Sequence, residues 1–299
     1  MQGRIIKQIS NDYTVKTPSQ EYICKARGKF RNMEISPLVG DFVEIDEKNN
    51  YILDILPRKN ELKRPKIANI DMAIIITSLK KPNFDTNLLD KLLAIIIFNN
   101  IKPVIIFTKS DLLNKEELNS FKTYFEYYKK IGIDVYMNYE TDKIKTIFQN
   151  KVSVFTGQSG AGKSTLLNNL DKNLNLKTNE ISEALNRGKH TTRHTELLEI
   201  YGGLVADTPG FSSLDFNDMT KGDIRDSTIE FNSYRKDCKY SDCMHYKEDK
   251  CEIKNKVGDG TILQSRYDNY INFIKDWYYE NKCFIFTNTK RYRKSNRIK

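Results

Sequence analysis

The sequence predicts an α/β protein, with a β-only segment ahead of the α/β part and a helical, cysteine-bearing segment behind it. Three observations carry this. From about residue 70 to 207, apolar runs of the kind buried on both sheet faces alternate with helical patterns. Residues 1–60 show only short alternating segments and no 3.6-residue period. After residue 215, three cysteines and a histidine fall within fourteen positions, ahead of a helical stripe.

In chain order, Arg4–Ile9, Glu21–Ala26, Gly40–Ile45 and Tyr51–Leu56 read as strands of a small OB-like β-barrel, with an SH3-like barrel as the rival. Lys25, Arg27, Lys29 and Arg31 alternate; if the stretch stays extended, all four share one face. That face could track a nucleic-acid backbone, or simply protect a strand edge with charge. Pro57–Pro65 is basic and proline-bracketed, and reads as a linker. Ile70–Thr77 and Lys102–Phe107 then read as buried strands, and Ile133–Met137 as extended. Asn87–Phe98, Glu116–Ile131 and Lys143–Phe148 read as helices, which together imply a mostly parallel sheet. The resulting division is a barrel over 1–60, an α/β domain over 61–214 and a C-terminal domain over 215–299.

The chemistry centres on Val152–Leu170. A β-branched run breaks into GQSGAGKS at Gly157 and resumes as a helix, the context that makes G-x-x-x-x-G-K-S a phosphate cradle. Gly157, Gly160 and Gly162 let successive N–H groups turn inward, with Gln158, Ser159 and Ala161 between them. Lys163 would reach the β- and γ-phosphates, Ser164 would ligate Mg²⁺, and Thr165 continues the helix N-terminus. Upstream, Thr108-Lys109-Ser110-Asp111 follows a buried strand. Asp111 there can accept from guanine N1–H and the 2-amino group, which adenine does not offer, while the Lys109 stem lies along the base.

Downstream, KHTTR places Thr191 and Thr192 where a switch would close over Mg²⁺ and the γ-phosphate, with Thr192 as a Mg²⁺ ligand. Glu196–Ala206 reads as one strand ending at Asp207-Thr208-Pro209-Gly210. Asp207 would support the Mg²⁺ shell and the Gly210 N–H would face the γ-phosphate. Most GTPases run P-loop, switch, D-x-x-G and then the guanine motif. Here the guanine motif comes first, so the α/β domain reads as a circularly permuted P-loop GTPase. The permutation sets the end of the second switch directly against the C-terminal segment, a route for passing on motion. Equal hydrogen exchange over 211–299 in GTP and GDP forms would sink that idea.

Cys238, Cys243, His245 and Cys251, spaced C-x4-C-x-H-x5-C, form a closed set for one structural Zn²⁺. Lys236, Lys239, Lys247 and Lys250 with Tyr240 and Tyr246 make RNA contact by this segment plausible; Cys24 and Cys283 read as ordinary thiols. Tyr267, Tyr270, Ile271, Ile274 and Trp277 read as a core stripe of a helix over 262–281, and the last residues, KRYRKSNRIK, as a disordered basic arm. The formal charge of +10 over 299 residues points to a polyanionic partner. No apolar run approaches the ~20 residues that span a bilayer. The opening MQGRIIKQIS lacks a signal-peptide core, so a cytoplasmic location, no membrane partner and a monomer are expected.

Barrel, permuted GTPase and zinc segment together resemble the bacterial small-ribosomal-subunit-dependent GTPase A family over essentially the whole chain. The likeness includes LKRPKIANID, GQSGAGKSTLLNNL, GKHTTRHTEL, DTPGF and the zinc spacing. It implies GTP hydrolysis to GDP stimulated by the 30S subunit, contact with its rRNA, and a role in late 30S maturation. Thr108 stands where most members have Asn, so a loop-bracing bond is lost or passes to the hydroxyl. The Ser-Ala guanine-loop element would fall near Asn138-Tyr139, which do not match it. Phe211 occupies the place of a water-orienting glutamine, so turnover of the protein alone should be slow. His190 is the candidate replacement, in line with the resemblance. The alternatives are an rRNA-binding scaffold using GTP as an affinity switch and a permuted GTPase of the large subunit.

Overall fold

The structure, a computed structural model, describes residues 1–32, 35–63, 66–170, 195–207 and 215–295; side chains at 31–32, 207 and 280–295 lie outside that description. Two compact units emerge: residues 1–84 with 99–214, and residues 85–98 with 215–299.

The first unit opens with β1 (Gln2–Ile9), β2 (Asp12–Lys16), β3 (Glu21–Ala26), α1 (Lys29–Asn32), β4 (Phe42–Asp46) and β5 (Tyr51–Ile55). The ladder β1-β2-β3-β5-β4 closes through β4 onto β1, giving a five-stranded OB-like barrel. Alternation turns Ile5, Val15, Cys24, Val43, Ile45 and Ile52 into the interior, where each is almost wholly inaccessible. β2 has no counterpart in the sequence reading: DYTVK is short and half polar, and it is a strand because β1 and β3 flank it. The four-cation face does not form. β3 ends at Ala26 and the chain turns helical from Lys29, so the alternation stops after Lys25.

Pro57–Pro65 is more than a linker. Arg58 donates to both carboxylate oxygens of Asp41, at 2.8 Å each, and Asp41 is fully buried. Glu61–Lys63 (β6) pairs with Lys66–Ala68 (β7). Parallel strands follow: β8 (Met72–Ser78), β9 (Lys102–Thr108), β10 (Asp134–Met137) and β11 (Val152–Gly157). The expected last strand is a hairpin, because Gly202-Gly203 turns the chain between β12 (Thr195–Ile200) and β13 (Gly203–Asp207). The order β10-β9-β8-β11-β13-β12 then continues onto β1, with Lys7 opposite Glu196 and bonded to it at 3.0 Å.

Helices α3 (Lys115–Lys130), α4 (Thr141–Ile147) and α5 (Lys163–Leu170) belong to this unit. A core of Ile74, Ile76, Val104, Ile106 and Val205 from the strands packs with Ile144, Phe148, Leu166, Leu167 and Leu170. α3 starts at a capping box in which Asn114 and Glu117 bond reciprocally.

The second unit contains α2 (Thr86–Phe98), α6 (Lys221–Asp226), α7 (Glu252–Gly258) and α8 (Gln264–Ser295). Arg266 on α8 donates to both oxygens of Glu230 at 2.7 and 2.8 Å and pairs with Asp90 of α2 at 2.7 Å. Asn269 adds a 2.6 Å bond to Asp90. Tyr270, Ile271 and Ile274 are buried, as a core stripe requires. Trp277 bonds Met219 through its indole N–H at 2.7 Å, and the backbone of α8 stays helical through Ser295, into the stretch expected to be a free arm.

Candidate functional site

The glycine-rich loop lies between β11 and α5, and its glycines are positioned for different reasons. Gly157 has φ of 131°, and an added Cβ would lie 2.0 Å from the Ile76 carbonyl oxygen, so the strand end and its neighbour touch backbone to backbone. At Gly160 and Gly162 an added Cβ would meet its nearest neighbours only at ordinary contact distance, 3.8 and 3.9 Å, so with φ of 75° and 94° they are there for their backbone angles. Ala161 is buried, and its N–H bonds Gln158. Gln158 is half-buried, Ser159 and Thr165 are exposed, and Ser164 stands half-buried in the first turn of α5. Lys163 bonds the Gly157 carbonyl at 3.3 Å, and burial pulls its pKa below the ordinary lysine value. That is a cation held in place with too little charge around it.

The guanine motif is joined to this loop by its own side chains. The Thr108 hydroxyl bonds the Ala161 carbonyl at 2.5 Å and lies 3.3 Å from that of Thr77. The brace that asparagine would supply has passed to the hydroxyl. Lys109 sits in the left-handed region at φ of 59° and donates to Gly160 at 2.6 Å and to the Lys81 carbonyl. Asp111 follows in a short 3₁₀ turn, exposed to solvent. Two segments some fifty residues apart are thus joined by side-chain bonds, with Thr108, Lys109 and Lys163 all donating to carbonyls of the glycine-rich loop. Asp207 ends β13 beside β11, with only its backbone described. His190, Thr191, Thr192 and Gly210 lie outside the described residues.

In the second unit the sulfur atoms of Cys238, Cys243 and Cys251 and a ring nitrogen of His245 all lie within 4.8 Å of one another. His245 presents Nδ1, 3.6 Å from Cys238 Sγ and 3.4 Å from Cys251 Sγ. Burial drives the Cys243 thiol up to about 12, raises that of Cys251 as well, and lowers the His245 imidazole to about 4. A closed S₃N set of this size could hold one zinc ion. Its loop is fixed from outside: Tyr267 and Tyr270 donate to the carbonyls of His245 and Met244 at 2.7 and 2.6 Å. Glu248 accepts from the N–H groups of Met244 and Tyr246 at 2.8 Å each. The stripe tyrosines therefore also buttress the metal loop, a role their spacing did not reveal.

Sequence reasoning also missed a barrel surface. The Arg4 guanidinium lies 4.2 Å from the Phe42 ring centre, and that of Arg27 lies 6.0 Å from Tyr51; both rings are exposed. Only barrel closure brings Arg4 beside Phe42, so linear spacing held no signal for the pair.

A model of the RsgA GTPase family matches residues 55–217, and one of the RsgA N-terminal domain matches residues 2–52. The chain is 48% identical over 283 residues to the small ribosomal subunit biogenesis GTPase RsgA 2 of Oceanobacillus iheyensis, covering 92% of this chain and 97% of that protein. It is 44% identical over 288 residues to RsgA of Bacillus subtilis, with the same coverages. Among solved structures, the circularly permuted GTPase YloQ is 39% identical with a TM-score of 0.78, over 92% of this chain and 94% of that one. YjeQ from Thermotoga maritima is 32% identical with a TM-score of 0.80, over 92% and 97%. A five-stranded barrel, a guanine motif strapped to a downstream P-loop, and matches along nearly the full chain place this protein in the RsgA family of circularly permuted GTPases.

Proposed function

We propose that this protein binds and hydrolyses GTP on the small ribosomal subunit and assists late maturation of that particle. The observation that carries the reading is the strap between motifs: Thr108 and Lys109 bond the P-loop carbonyls of Ala161 and Gly160, which supports reading the two segments as one guanine-selective triphosphate site. The names of its relatives supply the particle. The residues fit Mg²⁺ in part, with Ser164 at the start of α5; Thr192 and Asp207 complete the proposed set. When bound, Mg²⁺ draws charge from the β- and γ-phosphates.

The chain's own contribution is positional. The glycine loop turns N–H groups toward phosphate, and Lys163 waits in a desolvated place where a polyanion restores its charge balance. Asp111 reads the base. Phe211 cannot orient water, so hydrolysis by the isolated protein is slow, and His190 positions the attacking water when the protein is on the 30S particle. The barrel pairs of arginine and aromatic residues and the lysine–tyrosine pairs Lys239–Tyr240 and Lys247–Tyr246 support an rRNA-facing role. We also take the chain to work in the cytoplasm as a monomer, in a barrel (1–60), a GTPase domain (61–214) and a zinc domain (215–299).

Co-sedimentation with separated 30S and 50S particles, using a non-hydrolysable GTP analogue, tests the partner. Retention on 50S alone would sink the proposal. GTPase rates with and without 30S test the stimulation, and unchanged rates would leave GTP as a mere affinity switch. His190→Ala should abolish the stimulated rate and leave GTP affinity nearly unchanged; an intact stimulated rate would move the role elsewhere.

A further inference from the structure

A cavity beside α3 belongs to neither the nucleotide site nor the metal set. Leu79, Phe107 and Met137, all buried, line it from the ends of β8, β9 and β10, and the half-buried Phe121 and Phe125 line it from α3. Leu118 and Tyr139 also line it but are 42% and 68% exposed, which marks its mouth. Its volume is about 550 Å³, inside the range of small-molecule sites, roughly 300–1,000 Å³. The sheet edge explains the opening. β10 is the outermost strand and has four residues, about 13 Å of chain, whereas α3 has sixteen, about 24 Å. The helix outruns the strand, and its apolar side is left without cover there.

The rim is cationic. Lys115, Lys122 and Lys129 recur every two turns, about 10.5 Å apart, on the side of α3 that lines the cavity. Glu126 is the one acid among the lining residues, and it meets Lys122 at 3.7 Å with both side chains about two-thirds exposed, a weak pair. Lys129 is placed differently. Its Nζ lies 4.3 Å from the centre of the Phe125 ring, so a cation already sits against a cavity-lining face. Glu140, whose charge reaches Lys129, is occupied by Lys143 at 2.7 Å and by the Met137 N–H at 2.9 Å.

Surplus positive charge excludes a cationic ligand. A nucleobase is also a poor fit, because Asn119 is the one amide side chain on the lining and most of a base edge would be left unpaired. Aromatic rings and a methionine favour a ring system over other apolar bodies. We propose that this cavity binds a small aromatic anion, its rings seated among Phe107, Phe121 and Phe125 and its acidic group paired with Lys129. The site stands apart from the GTP reading and does not depend on it.

The test titrates the full-length, zinc-loaded protein with two fluorescent probes, 8-anilinonaphthalene-1-sulfonate and N-phenyl-1-naphthylamine, which carries the same rings without the sulfonate. The sulfonate should bind once per chain and about tenfold more tightly than the neutral dye. Lys129→Gln should weaken the sulfonate about fivefold and leave the neutral dye unchanged, as for one partly screened ion pair. Leu118→Glu, at an exposed position on the mouth, should remove both dyes. Sulfonate binding that survives Leu118→Glu would place the dye elsewhere and overturn the proposal. Equal affinity for the two dyes, or equal losses on both in Lys129→Gln, would remove the role given to charge and overturn it too. Dodecanoate, added as a competitor, should displace the sulfonate only at much higher concentration; displacement at equal concentration would make the occupant an acyl chain and sink the aromatic assignment.

Discussion

Gly157 shows how little freedom a single position can have. A methyl group there meets the Ile76 carbonyl at 2.0 Å on a backbone with φ of 131°, so contact and conformation both forbid it. Gly157→Ala should lose on the order of 3 kcal/mol or more in urea unfolding, or fail to fold. Thr108 is subtler. Thr108→Val keeps the volume and removes the proton that satisfies Ala161, so fluorescent GDP titration should show affinity reduced about tenfold. The zinc ligands give a pH prediction at the same scale. Burial raises the Cys243 and Cys251 thiols, so metal binding must expel their protons and zinc affinity should fall steadily as pH drops from 8 to 6. His245, held at about 4, should add no step near the usual 6.5. Competition with a chromophoric chelator across that range, with proton release in two buffers, would check both statements.

Among elements, buried ion pairs do the locking. Asp41, wholly enclosed in the barrel, takes Arg58 from the segment that composition suggests is a linker, and also accepts the Leu38 N–H at 2.7 Å. Removing one partner leaves a buried charge without its counterpart. Asp41→Asn should therefore cost about 3 kcal/mol in chemical denaturation, well above an exposed pair such as Lys122–Glu126. In the second unit Arg266 serves two carboxylates, Glu230 and Asp90, and Asp90 belongs to α2. A helix drawn from between two strands of the GTPase sheet is thus claimed by the helical unit. Nothing in its sequence, an ordinary apolar helix, announces that.

For the molecule as a whole, the strand that follows the proposed first switch is the place of interest. β12 begins at Thr195, two residues past Arg193 of KHTTR, and pairs with β1 of the barrel as well as with β13. Any nucleotide-dependent change that reaches β12 meets the barrel through backbone hydrogen bonds, with Lys7–Glu196 and Lys16–Glu199 as minor surface additions. Hydrogen exchange in the GTP-analogue and GDP forms should accordingly change together over Thr195–Ile200 and Gln2–Ile9. A change confined to β12 would separate barrel and switch.

The sequence alone determined what local chemistry can encode. Strand, glycine loop and helix around Lys163 are contiguous. The C-x4-C-x-H-x5-C set is a spacing rule, and the order of TKSD and GQSGAGKS discloses the permutation. These depend on neighbours a few residues apart. Tertiary structure decided whatever needs residues far apart to meet. β2 is a strand only because two others flank it, and the extended basic face failed because the chain turns helical at Lys29. Arg4 finds Phe42, α2 joins the C-terminal unit, and Thr108 substitutes for an amide because a P-loop carbonyl fifty-three residues away lies within 2.5 Å. Hydrogen bonds and ion pairs act over a few ångströms of space, whatever the distance along the chain. Local pattern therefore predicts the motifs, and only the fold shows which of them touch.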